Sequence, residues 1–321
     1  MHFHAHSPLD ENDVTALDAR CSLIQFSEPL TPNDHLKIAN HLRKFPKTVL
    51  RPYGHCSESR DLSFLQYYPS LATLQLTSYQ ASEPTNLAQL PVSLSRLSIT
   101  ADSTEVIDVA RLQELEALTD LHINPRARNL DRLVQFSNLR QLSLARVKDR
   151  DLTVIDKLTY LTAFALYSSP VAELRFLSNL ANLRRLRLGT LRRLTDVSPL
   201  TELRLLESLY LERLPLVKAL PNLSQSHELK RVWIEGLKCL TNLEQLAHIT
   251  ELQECAVLNM AHLQENDFLP LQGHRSLKFV YYTSGPFSAA LFGRGGHVKQ
   301  EAIRALLQLG SPKCIAPLRW D

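Results

Sequence analysis

The amino-acid sequence predicts an α/β solenoid, in which short strand-and-turn units stack along a single chain. Leucine makes up 63 of the 321 residues, whereas glycine contributes only 9. A six-residue pattern of the form L-x-x-L-x-L, with other apolar residues replacing some leucines, begins at residues 71, 94, 118, 139, 161, 183, 206, 229, 252 and 277. A spacing that stays between 21 and 25 residues over ten units indicates a stacked repeat.

Each unit is predicted to contain one strand and one return segment. The x-L-x-L part alternates with period two, which is typical of a strand with one apolar face. After the strand, leucine or valine recurs every third residue, for example over 194–200, 217–223 and 240–246. That period predicts 3₁₀ or short helical turns. Stacking would place the parallel strands on a concave face and the turns on a convex face. Weaker strand patterns at Leu23–Phe26 and Val49–Tyr53 give an expected total of about 10–12 repeats.

A helix is predicted to cap the N-terminal end of the stack. The sequence Thr31-Pro-Asn-Asp34 places an N-cap residue, a proline at the first helical position and an acidic residue where a capping box needs them. The helix should run to about Lys44, before a proline, with Leu36, Ala39 and Leu42 on one face.

A second helix, over Val298–Leu309, is predicted to cap the C-terminal end, because Gly310 and Pro312 follow it as stop signals. The sequence therefore predicts one structural domain with an N-terminal cap over 1–46, repeats over 47–285 and a C-terminal cap over 286–321.

The units resemble leucine-rich repeats of the 22-residue class found in bacterial internalins, and the segment Leu194-Thr-Asp-Val-Ser-Pro-Leu200 is similar to the internalin return segment. The resemblance covers about two-thirds of the chain and implies the fold and a bacterial source, but it says little about function. The family usually has Asn at the ninth repeat position, and this chain has none there. We expect the corner amides to find other partners or water. Large aliphatic residues occupy the ninth positions from Leu191 to Met260, which indicates an apolar ridge.

Aromatic and charged residues collect at the strand positions of the later repeats that should face the concave surface. These are positions 3, 5, 7 and 8, counted from the first leucine of a repeat. Trp, Tyr and Arg are enriched at the energetic centres of protein–protein interfaces. The predicted binding residues are Tyr167, Arg185, Arg187, Tyr210, Glu212, Arg213, Arg231, Trp233, Glu235, Phe279 and Tyr281.

Two alternatives compete with this hypothesis. Trp233 and Tyr210 could instead pack on side chains of neighbouring repeats or lie under a cap. The arginines could also bind nucleic acid or another polyanion. However, residues 184–213 contain seven Arg against four acidic residues, and the whole chain carries a formal charge of only +3. Alternating signs on adjacent strands favour pairing within the molecule.

Catalytic and metal-binding patterns are weak. His2, His4 and His6 alternate as metal ligands can, but a disordered terminus supplies no fixed geometry. His55 and Cys56 are neighbours on a strand and should point to opposite faces. The Gly293–His297 segment lacks the full spacing of a phosphate-binding loop and is expected to be a flexible loop. We therefore expect no enzyme, no cofactor and no metal.

The remaining features predict a cytoplasmic, monomeric binder of a protein partner, for example an inhibitor, an immunity protein or an adaptor. Five cysteines without a C-x-x-C pair favour a reducing compartment, with Cys255 in the core. The sequence shows neither a signal-peptide pattern nor an apolar run long enough to span a membrane.

Overall fold

Every one of the ten predicted repeats forms a strand that begins at its third position. The computed structural model describes residues 1–10, 12–13, 17–54, 57, 61–78, 86–101, 106–285, 303 and 306–307. The chain divides into two compact units, Met1–Phe164 and Ala165–Asp321. The strands are β1 (His2–His4), β2 (Leu23–Phe26), β3 (Val49–Gly54), β4 (Thr73–Ser78), β5 (Arg96–Thr100), β6 (Val106–Asp108), β7 (Asp120–Ile123), β8 (Arg126–Arg128), β9 (Gln141–Ala145), β10 (Ala163–Tyr167), β11 (Arg185–Gly189), β12 (Ser208–Glu212), β13 (Arg231–Glu235), β14 (Glu254–Leu258) and β15 (Phe279–Tyr282).

Parallel sheets form the centre of both units. In the first unit the strand order is β1-β2-β3-β4-β5-β7-β9, and a separate sheet pairs β6 with β8. In the second unit the order is β11-β12-β13-β14-β15. The two weak strand patterns near the start of the chain are confirmed as β2 and β3. The small β6–β8 sheet was not predicted.

Adjacent strands pair position by position, so the leucines of successive repeats form continuous layers. Leu186 on β11 pairs with Leu209 on β12, and Leu209 pairs with Val232 on β13. All three side chains are buried. Burying such a side chain stabilises the fold by about 1.5–3 kcal/mol. The repeated pattern that predicts the strands is therefore also the core.

A left-handed backbone corner follows the strand in each repeat from the fourth to the ninth. The residue at position 8 has a φ between 49° and 56° at five of these corners and 65° at Gly236. At four of the five corners in the second unit, the N–H of this residue donates to the carbonyl at position 7 of the next repeat, whereas the Asn259 N–H donates to the Thr283 hydroxyl. Thr190 donates to Glu212 at 2.8 Å, and Gly236 donates to Leu258 at 2.9 Å. The corner therefore ties successive repeats together through backbone groups.

The ninth position turns inward after this corner. Leu191, Leu214, Leu237 and Met260 are fully buried, so the predicted apolar ridge is part of the core. The backbone N–H of Leu237 donates to the Met260 Sδ atom at 3.2 Å, so a thioether accepts this hydrogen bond. At this corner, the Met260 sulfur and the carbonyl that accepts the Gly236 N–H are the partners of the backbone amides in the absence of an Asn side chain.

The return segments contain short 3₁₀ helices in most repeats. Two of the three predicted return helices are present, at Ser198–Glu202 and Glu244–His248. The third prediction was wrong, because residues 217–223 have irregular backbone and no helix, although Val217, Leu220 and Leu223 are all buried. The other 3₁₀ helices are Ser63–Tyr67, Leu87–Gln89, Val109–Leu112, Leu130–Gln135, Asp149–Lys157, Arg175–Leu177 and Glu265–Leu271.

The N-terminal helix α1 (Pro32–Lys44) begins and ends where the sequence predicts. The Thr31 hydroxyl accepts the Asp34 N–H and also donates to the Asp34 carboxylate at 2.7 Å. That carboxylate accepts two further hydrogen bonds, from the Ser7 hydroxyl and from the Leu9 N–H. Burial opposes its ionisation, but these hydrogen bonds outweigh burial and lower the pKa of Asp34. The helix start thus also holds the preceding chain in place.

Two expectations for the N-terminal region were wrong. Leu36 is 50% exposed, and the buried face of α1 is formed instead by Ile38, Ala39 and Leu42. The first residues are also not disordered, because β1 (His2–His4) pairs with β2. Strand pairing supplies backbone partners that the sequence of an isolated terminus does not reveal.

The predicted C-terminal cap lies largely outside the described residues. Ile303 and Leu307 are described, and both are buried. The Leu307 N–H donates to the Ile303 carbonyl at 3.0 Å, which is a helical hydrogen bond. The boundaries of the caps at 1–46 and 286–321 stay predictions.

Exchanging the residues at two corners should change stability in opposite directions. Thr in the left-handed region costs roughly 1–2 kcal/mol, so Gly236→Thr should lower the free energy of unfolding by about that amount. Thr190→Gly should raise it, because relief of that cost exceeds the roughly 0.5–1 kcal/mol entropic cost of glycine. Urea unfolding followed by circular dichroism measures both variants. Shifts of the same sign would contradict the account of the corner.

Candidate functional site

The predicted binding residues of the second unit lie on the face of the sheet opposite the leucine layers. In β11 the even-numbered Leu186 and Leu188 are buried, whereas Arg185 and Arg187 are partly exposed. Partly exposed side chains likewise alternate with buried ones in β13, where Trp233 is half-buried. We call this surface the strand face.

The register places position 5 of each repeat in one row across the strand face. Arg187 pairs with Tyr210, and Tyr210 pairs with Trp233. Trp233 pairs with Ala256, which pairs with Tyr281 on β15. Residues about 23 positions apart in the sequence therefore become neighbours on the surface.

Arg187 lies at the centre of a connected group of side chains. Its guanidinium carbon is 5.2 Å from the centre of the Tyr167 ring and 5.4 Å from that of the Tyr210 ring. One guanidinium nitrogen, Nη2, donates to Glu212 Oε2 at 3.0 Å. The two side chains of this ion pair are only 28% and 16% exposed, so solvent weakens their attraction less than at an open surface. Each cation–π contact contributes about 0.5–2 kcal/mol.

Tyr210 extends this group to Trp233. The two rings stack with centroids 5.4 Å apart and an angle of 12° between their planes. Tyr210 is only 5% exposed, so the alternative that it packs on neighbouring repeats is correct for this residue. Trp233 stays half-buried, and its Nε1–H points to Glu235 Oε2 at 3.4 Å. We call Tyr167, Arg187, Tyr210, Glu212 and Trp233 the strand-face cluster.

Gly189 leaves the space that the Tyr167 ring occupies, and this role was not predicted from the sequence. A Cβ atom at Gly189 would lie 2.7 Å from Tyr167 Cδ1 and 3.1 Å from Tyr167 Cε1. The Tyr167 ring therefore lies directly over the glycine backbone. A signal was present in the sequence, because Gly189 is the only glycine at position 7 in the ten repeats.

Tyr167 keeps its proton throughout the physiological pH range. Burial raises the pKa of Tyr167 to about 12, the nearby Arg187 charge lowers it, and Glu212 raises it. The neutral ring therefore presents a polarised hydroxyl and an apolar face. This combination is common in residues that anchor protein interfaces.

The other predicted site residues surround the cluster or lie beyond it. Arg213 Nε is 3.7 Å from Glu212 Oε1, and Arg231 Nε is 3.4 Å from Glu254 Oε2. Arg185 is partly exposed on β11. Phe279 and Tyr281 lie on the same face on β15, and the strand that carries Ala256 separates them from Trp233.

The predicted pairing of opposite charges on adjacent strands is confirmed. Besides the Arg187–Glu212 pair, Arg231 on β13 pairs with Glu254 on β14. Immediately before β11 and β12, Arg184 Nη1 contacts Glu207 Oε1 at 2.5 Å. Several arginines that could attract a polyanion therefore already have carboxylate partners on the next strand.

Other candidate sites have little structural support or lie outside the described residues. His55, Cys56 and the Gly293–His297 segment fall outside them. Among the described residues, no group of three His, Cys, Asp or Glu side chains could hold a metal ion. Cys255 is buried as predicted, and burial raises the pKa of its thiol to about 12. In the same part of the chain, no helix has the length and apolar character needed to cross a membrane.

The strands, corners and return turns define a leucine-rich repeat fold. An internalin from Listeria monocytogenes is similar, with a TM-score of 0.55 and 16% sequence identity over 87% of this chain and 84% of that one. A chain from the Toll–Spätzle complex of Drosophila also gives a TM-score of 0.55 at 16% identity, covering 88% of this chain. This chain spans only 43% of that larger one. No protein-family model and no curated protein matches the sequence.

Gly189→Ala should disturb the strand-face cluster without touching the core. The added methyl group would force the Tyr167 ring away from its position, at a cost of about 1–3 kcal/mol. We expect a lower free energy of unfolding and a changed near-ultraviolet circular dichroism spectrum, because the aromatic stack loses its order.

Gly285→Ala is the matched control, since a Cβ there would meet no atom within 4 Å. Equal effects of the two substitutions, or no effect of either, would contradict the role assigned to Gly189.

Proposed function

We propose that the chain is a non-catalytic protein-binding module that uses the strand-face cluster as its anchor. The observation that carries the proposal is the stack in which Arg187, Tyr210 and Trp233 hold one another in fixed positions. Side chains that are already ordered lose little entropy when a partner binds. Trp233 provides partly exposed aromatic area at the end of this stack.

The charges of the strand face favour a protein partner over a polyanion. Nucleic acids bind through cations that can each neutralise a phosphate. Arg187 forms an ion pair with Glu212, and Arg231 forms one with Glu254. A surface with paired charges of both signs around an aromatic centre matches the composition of protein interfaces. Nucleic acid therefore remains the less favoured partner for this face.

We also propose that the chain has no catalytic activity. The buried Cys255 thiol, with a raised pKa, is a poor nucleophile at neutral pH. The similar structures, an internalin and a chain from a complex between Toll and Spätzle, share the fold. We propose that this chain is a binding protein and that it acts as a monomer. Its role would be that of an inhibitor, an immunity protein or an adaptor. The free thiols of Cys21, Cys239 and Cys255 agree with a reducing compartment such as the cytoplasm.

Substitution of the anchor should weaken capture of the partner from cells of the native source. Trp233→Ala and Arg187→Ala should each cost about 2 kcal/mol or more of binding free energy, because both remove central contacts. The measurement is affinity purification followed by titration calorimetry with the protein recovered by the wild type.

The control is Leu216→Ala, which removes an apolar side chain that is 44% exposed outside the strands of the second unit. Thermal unfolding of all variants separates lost binding from lost folding. Wild-type affinity in both anchor variants would contradict the proposed site, and an affinity that falls steeply with salt would favour the polyanion alternative.

A further inference from the structure

A strongly basic groove lies in the first unit and shares no residue with the strand-face cluster. Its volume is about 420 Å³. The groove is built from β8, the 3₁₀ helix Leu130–Gln135 and the beginning of the 3₁₀ helix Asp149–Lys157. Its cationic lining residues are Arg126, Arg128, Arg146, Lys148 and Arg150.

The carboxylates of the lining do not balance these five cations. Only Asp131 and Asp151 contribute negative charge to the lining. Asp151 lies 3.6 Å from Arg150, but the Arg150 side chain is 79% exposed, so this ion pair is weak. Asp131 lies 3.6 Å from Arg132, which is not part of the lining. The groove therefore keeps an excess of positive charge.

Two of the arginines are held in place by other parts of the chain. Arg128 Nε donates to Asp108 Oδ2 at 3.1 Å, across the β6–β8 pair. Arg146, whose own backbone forms a left-handed corner, donates from Nη1 to the Asn124 carbonyl at 2.9 Å. These guanidinium groups retain N–H donors beyond the ones used in these bonds.

The two other cations are available to a ligand. Arg126 and Lys148 are exposed, and neither has an acidic partner among the described residues. Fixed arginines beside unpaired cations are suited to charge-assisted hydrogen bonds with an anion, and arginine forks match the geometry of carboxylates.

We propose that the basic groove binds an acidic polypeptide segment through at least two of its carboxylates. The cations are confined to two neighbouring repeats, a width of roughly 10 Å at the usual strand spacing. Nucleic-acid affinity rises with the number of phosphates neutralised, and so short a site reaches few of them. Asp131 and Asp151 would also repel a continuous phosphate backbone, whereas a peptide has backbone N–H groups that can donate to them. The site is independent of the strand-face cluster.

The test measures binding of fluorescein-labelled hexaglutamate by fluorescence anisotropy at low salt. The wild type should bind the peptide, and the double variant Arg126→Glu/Lys148→Glu should bind it about tenfold or more weakly, because attraction becomes repulsion at the groove. The control variant Lys47→Glu/Lys238→Glu makes the same change in net charge at two exposed positions elsewhere. It should keep affinity within about threefold of the wild type, since neither residue lines the groove and exposed charges are screened by salt.

Thermal unfolding of both double variants confirms that they are folded, and a labelled hexanucleotide serves as the competing ligand. No binding of hexaglutamate by the wild type, or equal weakening in both double variants, would overturn the proposal. Tighter binding of the hexanucleotide that is lost on substitution of Arg126 and Lys148 would assign the groove to nucleic acid instead. Loss of peptide binding in Trp233→Ala would show that the groove is not the site.

Discussion

The left-handed corner at the eighth position of the fourth to ninth repeats is the constraint on which the strand face of the second unit depends. It turns the chain in the same way after successive strands and donates its N–H to the next repeat. The parallel strands of the second unit therefore stay in register, position by position. Because of this register, Arg187, Tyr210 and Trp233 form one row although they are far apart in the sequence. The corner is formed by backbone groups, but it determines how the side chains are arranged on the strand face.

The sequence was sufficient to predict the strands and the N-terminal helix, because both depend on local patterns. Because its leucines must be buried, each strand can face the core in only one way. The N-cap at Thr31 depends only on residues within one turn of the helix. Predictions failed where tertiary contacts decide the outcome. Residues 217–223 have the same leucine period as their neighbours but form no helix, and Leu36 is exposed although its spacing matches the buried face. Pairing with β2, which no local pattern indicates, orders His2–His4.

The residue types of the candidate site could be predicted more fully than its geometry. Alternation along a strand identifies which side chains leave the core, and this identified Trp233 and Arg187. It does not show how side chains lean across strands, so the burial of Tyr210 was only one of two alternatives and the role of Gly189 was not predicted. The basic groove was missed for a related reason, because its charges come from corners and turns of different repeats. Positions that share a surface only after folding leave no periodic signal.

A protein partner of this chain should contact the strand-face cluster directly. Site-specific photo-crosslinking tests it, with a benzophenone amino acid introduced at position 233 and, in a second sample, at Leu216. Leu216 is exposed at 44% in the same unit but lies outside the strands. We expect a crosslinked product with the captured partner from position 233 and none from position 216. A crosslink from position 216 alone would contradict it.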